Sequence, residues 1–358
     1  MLTRFSHWRA RRCSALAPRF AALTAMAAAL CCLALPATAT ESAATARPAQ
    51  PAKTAAATAP ATPTSTTPAA APLVQVRWAV GDTRRYVLTK TRARARNDLV
   101  EQAQSSDTPI DVQVLAVNGE QSVLAWRYGE TRLDDAEAAA NPMVRQMSNL
   151  MKGLTLELVV AHDRGVVGLR NWRDVQTLMD KVLTDMGTTL RSNGMTDAAV
   201  AGVMQQVRPM FATEAQMVAT STREAQLMFS LLGKPVGVNQ PFSYDTALPN
   251  ALGGEAIPGR GEYQVMQQEG PIATIGWQQK VDSAAFQRIM SRTLTDMATR
   301  MGKPTANIGE TLANLTVDDR AEFKVDLRSG WPTAVTHIRR TGSSLRSQTD
   351  TTSLVAAP

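Results

Sequence analysis

Short segments that alternate apolar and polar residues, joined in pairs across glycine-bearing turns, recur from residue 74 to residue 341 and confine this chain to antiparallel sheet. Val74, Val76, Trp78 and Val80 alternate with Gln75, Arg77 and Ala79, a period of two that places one set of side chains on each side of a strand. Gly81-Asp82 predicts a turn and a second strand from Arg85. Ile110–Val117 and Ser122–Tyr128 flank Asn118-Gly119, the strongest short hairpin signal. Further hairpins are predicted for Leu154–Ala161 with Val166–Leu169, for Glu262–Gln268 with Ile272–Val281, and for Glu322–Arg328 with Thr333–Thr341. A last strand is predicted over Leu345–Leu354.

Helical periodicity lies between the hairpins. Trp172, Val175, Met179, Val182, Met186 and Leu190 share one face of a helix that Asn171 can cap. Thr213 and Gln216 form a capping box for a helix running to Leu232-Gly233. Asp197–Val207 reads as a helix stopped by Pro209. Ser283 can cap a helix with Phe286, Ile289, Met290, Leu294, Met297 and Met301 on one face. Helix ends at Met151-Lys152-Gly153, Leu232-Gly233-Lys234-Pro235 and Met301-Gly302-Lys303-Pro304 each precede a hairpin, but glycine ends many helices and local punctuation explains this better than an internal repeat. The expected class is α+β: an antiparallel sheet of hairpins, curved or half-barrel-like, with amphipathic helices packed on one face.

The N-terminus reads as an export signal. Arg4, Arg9, Arg11, Arg12 and Arg19 precede an apolar run from Ala21 to Leu35, and Ala37-Thr38-Ala39 supplies the small residues of a cleavage site after Ala39. The run is shorter than the ~20 residues that span a bilayer. Leu30 before Cys31, and Cys31 before Cys32, do not provide the small residue that a lipidation site needs. Residues 40–72, rich in Ala, Thr and Pro, have too little apolar bulk to offset ordering and predict a disordered linker. The expected organisation is a signal at 1–39, a linker at 40–72 and one periplasmic domain at 73–358.

Removing those segments changes what the charge implies. The chain has 38 Lys and Arg against 31 Asp and Glu, but 31 basic and 30 acidic residues lie beyond residue 72. The high isoelectric point is thus a property of the targeting region and does not argue for a nucleic-acid partner. Cys13, Cys31 and Cys32 all precede the domain, which excludes a disulfide, a cysteine nucleophile and a thiolate metal site from it.

Few residues there suit catalysis. His162 and His337 are the domain's histidines, too few for a zinc site without further ligands, and no nucleophile elbow or zincin motif is present. Asp134-Asp135 and Asp318-Asp319 read as solvated acids, since neighbours on a strand point to opposite faces. Gly253, Gly254, Gly259 and Gly261 precede a strand rather than a helix and do not form a phosphate loop. No metal or other cofactor is expected.

Two patterned sets remain. Met143, Met147 and Met151 follow helical spacing, and Met290, Met297 and Met301 share a later helix. Such a set packs a core, offers a soft Cu(I) site, or presents a pliable apolar surface. Lys90, Arg92, Arg94 and Arg96 alternate with Thr91, Ala93 and Ala95, a cationic ladder suited to an anionic polymer or lipid headgroup, or to protecting an edge strand.

Helices covering a half-barrel sheet form the architecture of periplasmic lipoprotein carriers, which this pattern resembles in architecture alone, with no motif that transfers residue roles. The expected function is a non-catalytic envelope protein that binds a lipid, a lipoprotein or an envelope partner through its Met-bearing helices, without a membrane span in the mature chain. Alternatives are an envelope hydrolase with an acid-based site and a structural scaffold.

Overall fold

The computed structural model describes residues 73–97, 99–248, 255–300, 315–342 and 346–358. The expected signal and linker, with Ala37 and Ala39, lie outside them. Among the described residues, twelve strands form one antiparallel sheet: β1 (Thr83–Arg96), β2 (Leu99–Asn118), β3 (Gln121–Tyr128), β4 (Arg132–Leu133), β5 (Thr155–Ala161), β6 (Gly165–Leu169), β7 (Phe242–Leu248), β8 (Ile257–Glu269), β9 (Ile272–Val281), β10 (Thr316–Asp326), β11 (Trp331–Gly342) and β12 (Arg346–Ala356). Strand accounts for 48% and helix for 29%. This corrects the expected α+β class: the molecule is mainly one large antiparallel sheet, to which the helices are subordinate.

The sheet order is β6-β5-β3-β2-β1-β12-β11-β10-β9-β8-β7, with β4 beside β2. Two meanders therefore meet where the first strand pairs with the last. β1 and β12 stay in continuous register from Tyr86↔Ala356 to Arg96↔Arg346. Local turns make the hairpins: Gly119 and Gly165 take positive φ at the β2–β3 and β5–β6 turns, which only a residue without Cβ does cheaply.

The chain from β6 to β7 must travel from one edge of the sheet to the other. It does so as α3 (Trp172–Ser192), α4 (Asp197–Val207), a 3₁₀ turn (Arg208–Phe211), α5 (Glu214–Ser221) and α6 (Arg223–Met228). Earlier, α1 (Ala136–Ala140) and α2 (Pro142–Ser148) fill the excursion from β4 to β5. α3 buries Val175, Met179, Leu183, Met186 and Leu190. Asn171 does not cap it through its side chain; that amide accepts from Glu157 N at 2.9 Å and donates to Thr155 O at 2.9 Å, tying the helix to β5. The single helix expected after Thr213 is two. Thr222, fully buried between them, donates its hydroxyl to Val218 O at 2.7 Å, a local bond that competes with helix continuation. After α6, Gly233 has φ +74 and a methyl there would overlap the Asp163 carbonyl, so the turn can seat against the β5–β6 hairpin only as glycine.

The helices lie on one face. Tyr86, Leu88, Ile110, Val112, Leu124, Trp126, Leu156, Leu158, Phe323, Val335 and Leu354 are buried on it, while Thr89, Thr91, Ser105, Thr336 and Ser353 occupy the other, partly exposed face. A second cluster joins Leu248 and Ile257 to Ala285, Phe286 and Ile289 of α7 (Ser283–Arg300). Here Asp282, not Ser283, caps the helix, accepting from Ala285 N at 2.8 Å. The segment expected to be a strand at 74–80 is irregular. Val74 and Trp78 are nonetheless buried, Trp78 stacking on Trp331 with centroids 4.4 Å apart and meeting Phe229 at 5.4 Å.

Candidate functional site

The helix-facing side of β7–β10 carries an aromatic wall. Phe242 and Tyr244 alternate inward on β7, opposite Tyr263 and Gly261 of β8. Tyr263 pairs with Trp277 of β9, and Phe323 lies inward on β10. Centroids are 5.8 Å apart for Phe242–Tyr244, 5.9 Å for Tyr244–Tyr263, and 6.3 Å for both Tyr263–Trp277 and Tyr263–Phe323. A methyl group at Gly261 would overlap the Tyr244 ring, so the missing side chain makes room for that ring to lie across β8. Trp277 Nε1 donates to Tyr244 Oη at 3.0 Å, and Lys234 Nζ stands 5.8 Å over the Tyr244 ring. Tyr263 and Phe323 are buried, while Phe242, Tyr244 and Trp277 are half-buried. Neither α3–α6 nor α7 closes over them completely.

Beside the wall lies a buried polar cluster. Asp319 of β10 is 2% exposed; His337 Nε2 lies 2.5 Å from its Oδ1, and Arg339 donates to Oδ2 through Nε at 3.0 Å and through its terminal nitrogen. The small Ala321 separates Trp277 from His337 along the register, and the two rings approach to 6.0 Å. Burial works to raise the Asp319 carboxyl, but the His337 hydrogen bond and the Arg339 charge hold it below its ordinary value. Gln279, opposite Asp319, is buried, and its Nε2 has no hydrogen-bond partner among the described residues. An unpaired buried amide of this kind costs about 1–3 kcal/mol, so an acceptor entering beside it would be welcomed.

The polar band continues across the sheet centre. Arg92 Nε donates to Asp350 at 2.6 Å. Lys90 Nζ lies 2.5 Å from Glu224 of α6, which also accepts from Tyr128 Oη at 3.2 Å. Burial alone would raise the Glu224 carboxyl, but the Lys90 charge and hydrogen bond hold it down to about 2. A carboxyl whose folded pKa is depressed stabilises the fold fully above its unfolded value and loses that stabilisation as pH falls through the folded one. With its carboxyl lowered from 4.5 to about 2, Glu224 contributes up to about 3 kcal/mol at neutral pH. Urea midpoints should therefore be flat above about pH 5 and drop progressively toward about pH 2, with a smaller drop in Lys90→Met. A midpoint unchanged down to about pH 3 would show the Glu224 carboxyl to be effectively solvated.

The sequence-derived residues are dispersed. Lys90, Arg92, Arg94 and Arg96 share the helix-facing side of β1, a central strand, so the ladder protects no edge. The helix bearing Met143 and Met147 ends at Ser148, leaving Met151 in the following turn; Met147 and Met151 are half-buried. Of Met143 and Met297 only the helical position is described, and Met301 lies outside the described residues. Met290 packs against the second apolar cluster. Asp319 corrects its reading as a solvated acid. The aromatic wall was missed, although the Phe242/Tyr244 alternation and the likeness of Gly261–Val265 to Ala321–Val325 both pointed inward.

Neither histidine joins a hydroxyl to a carboxylate among the described residues. His337 has Asp319 but no hydroxyl partner; His162 meets the buried Ser122 hydroxyl at 2.9 Å but no acid. No group of three or more His, Cys, Asp and Glu among the described residues could hold a metal ion. No described helix is long and apolar enough to cross a membrane.

No family model matches the chain, and no curated protein matches it in sequence. Among solved structures, 79% of the chain is similar to lipovitellin, in a structure concerned with its lipid–protein interactions, at 8% identity and a TM-score of 0.36. The match takes in 26% of that chain, so this protein spans about a quarter of its length. A likeness at that level assigns no property here.

Proposed function

We propose that this protein is an exported, non-catalytic carrier or sensor of an amphipathic lipid, whose apolar chain lies along Phe242, Tyr244, Trp277 and Met290 and whose polar group meets the polar cluster at Gln279, Asp319, His337 and Arg339. The observation that carries this reading is the half-buried aromatic wall. Three large rings keep apolar surface uncovered on the face that otherwise forms the core, and apolar sites with a few convergent polar groups are what small amphipathic ligands occupy. The unpartnered Gln279 amide supplies a donor for an ester or carboxylate oxygen. Met290 adds an adaptable thioether from the α7 side.

The test is uptake of cis-parinaric acid by the purified protein. Its fluorescence should rise on binding, with energy transfer from tryptophan. Trp277→Ala should weaken binding about tenfold, the scale of one lost aromatic contact, with a melting temperature near the parent's because the ring is half-exposed. No uptake by the parent protein, or equal uptake by the variant, would defeat the proposal. Native mass spectrometry of protein from its own envelope fraction should show a bound lipid mass.

A further inference from the structure

The β1–β2 hairpin ends in a surface of a different kind. β3 pairs with β2 only from Ile110 onward and β4 only at Ser106 and Asp107, so the ribbon outruns its neighbours on that side. Residues 99–104 are exposed on both faces, with Leu99 at 73% and Val100 at 65%. Leu99 pairs with Arg96, which puts it on the side that carries the cationic ladder, while Val100 pairs with Ala95 on the opposite side of the ribbon. Along that side the cations change character. Lys90 is held by Glu224, Arg92 by Asp350 and Arg96 by Glu101 at 3.1 Å. Arg94 is exposed, with no acid partner among the described residues.

We infer that this hairpin tip docks end-on at an anionic phospholipid surface, inserting Leu99 and Val100 from its two faces at the headgroup boundary while Arg94 and Arg96 meet lipid phosphates. Two adjacent, largely bare aliphatic residues at the tip, with the exposed Arg94 behind them, form the combination that interfacial binding uses, apolar burial plus attraction to anionic lipid. The central position of β1 removes edge protection as the ladder's purpose. The surface uses none of the residues of the aromatic wall.

Co-sedimentation with phosphatidylcholine vesicles, with and without about 30% phosphatidylglycerol, tests this. Binding is expected only to the anionic vesicles and should fall at least tenfold between about 0.05 M and about 0.5 M salt. Arg94→Gln should cost about fivefold. The double variant Leu99→Ser/Val100→Ser should cost roughly tenfold or more. Both should leave the melting temperature and cis-parinaric acid uptake unchanged, so failure here is separable from failure of the lipid-carrier reading. Equal binding to both vesicle types, no binding, or a loss in Arg94→Gln with none in the double variant would each overturn the inference, the last by pointing to a soluble anionic polymer.

Discussion

A chain ending at residue 345 should fail to fold. Terminal residues are ordinarily the most dispensable part of a domain, but β12 lies between β1 and β11 at the middle of the sheet, paired from Tyr86↔Ala356 to Arg96↔Arg346 on one side and from Ala334↔Val355 to Gly342↔Ser347 on the other. Its removal would strip both ladders, delete Leu354 from the core, expose Leu88 and Val335, and leave two meanders with no shared strand. The truncated chain should lack a cooperative thermal transition and should collect in the insoluble fraction. Adding a peptide of residues 346–358 in trans should recover part of the transition. A soluble truncated protein melting near the parent temperature would refute the central role of β12.

The second large effect falls on Asp319. Asp319→Ala should lower stability by about 3 kcal/mol, because it leaves the half-buried Arg339 guanidinium without its counter-charge and the buried His337 ring without its hydrogen-bond partner. The loss should show as a fall in the urea midpoint at unchanged slope. Asp319→Asn keeps an acceptor and should lose less. Replacing Asp319, His337 and Arg339 together by Leu, Phe and Met should bring stability back near the parent's, since the desolvation penalty then disappears with the charges. That triple variant should also lose its polar cluster and with it any preference for ligands with an acceptor headgroup. A loss below about 1 kcal/mol in Asp319→Ala would mean that the Arg339 guanidinium reaches water.

These effects could not be foreseen from residue types alone. Asp318-Asp319 was legible as a doublet on a strand with opposed side chains, but which of the two points inward depends on the face that the helices cover. The ladder at Lys90–Arg96 was legible as one-sided by its alternation, yet its side is the covered one and its strand is central. The Met pattern overstated a stripe: α2 stops at Ser148, before Met151, and Met179, Met217 and Met228 are simply core. Residues 99–109 escaped recognition as a strand because Gln102, Gln104, Ser105, Ser106 and Asp107 are polar on both sides of a two-faced ribbon, where no buried face enforces alternation.

What the sequence determined by itself is local. It set the hairpins at Asn118-Gly119, Asp163-Arg164-Gly165, Gly270-Pro271 and Gly330-Trp331-Pro332, the Thr213 cap, and a domain held without cysteine, because turn geometry, capping and redox chemistry depend on a few neighbouring residues. The tertiary structure alone decided the strand order, the meeting of β1 with β12, the interruption at Thr222, and the gathering of Phe242, Tyr244, Tyr263, Trp277 and Phe323 into one wall beside Asp319. Each of these brings together residues far apart in the chain. Alternation reveals which side chains share a face of a strand, but only packing selects the strand beside it and the face that is covered.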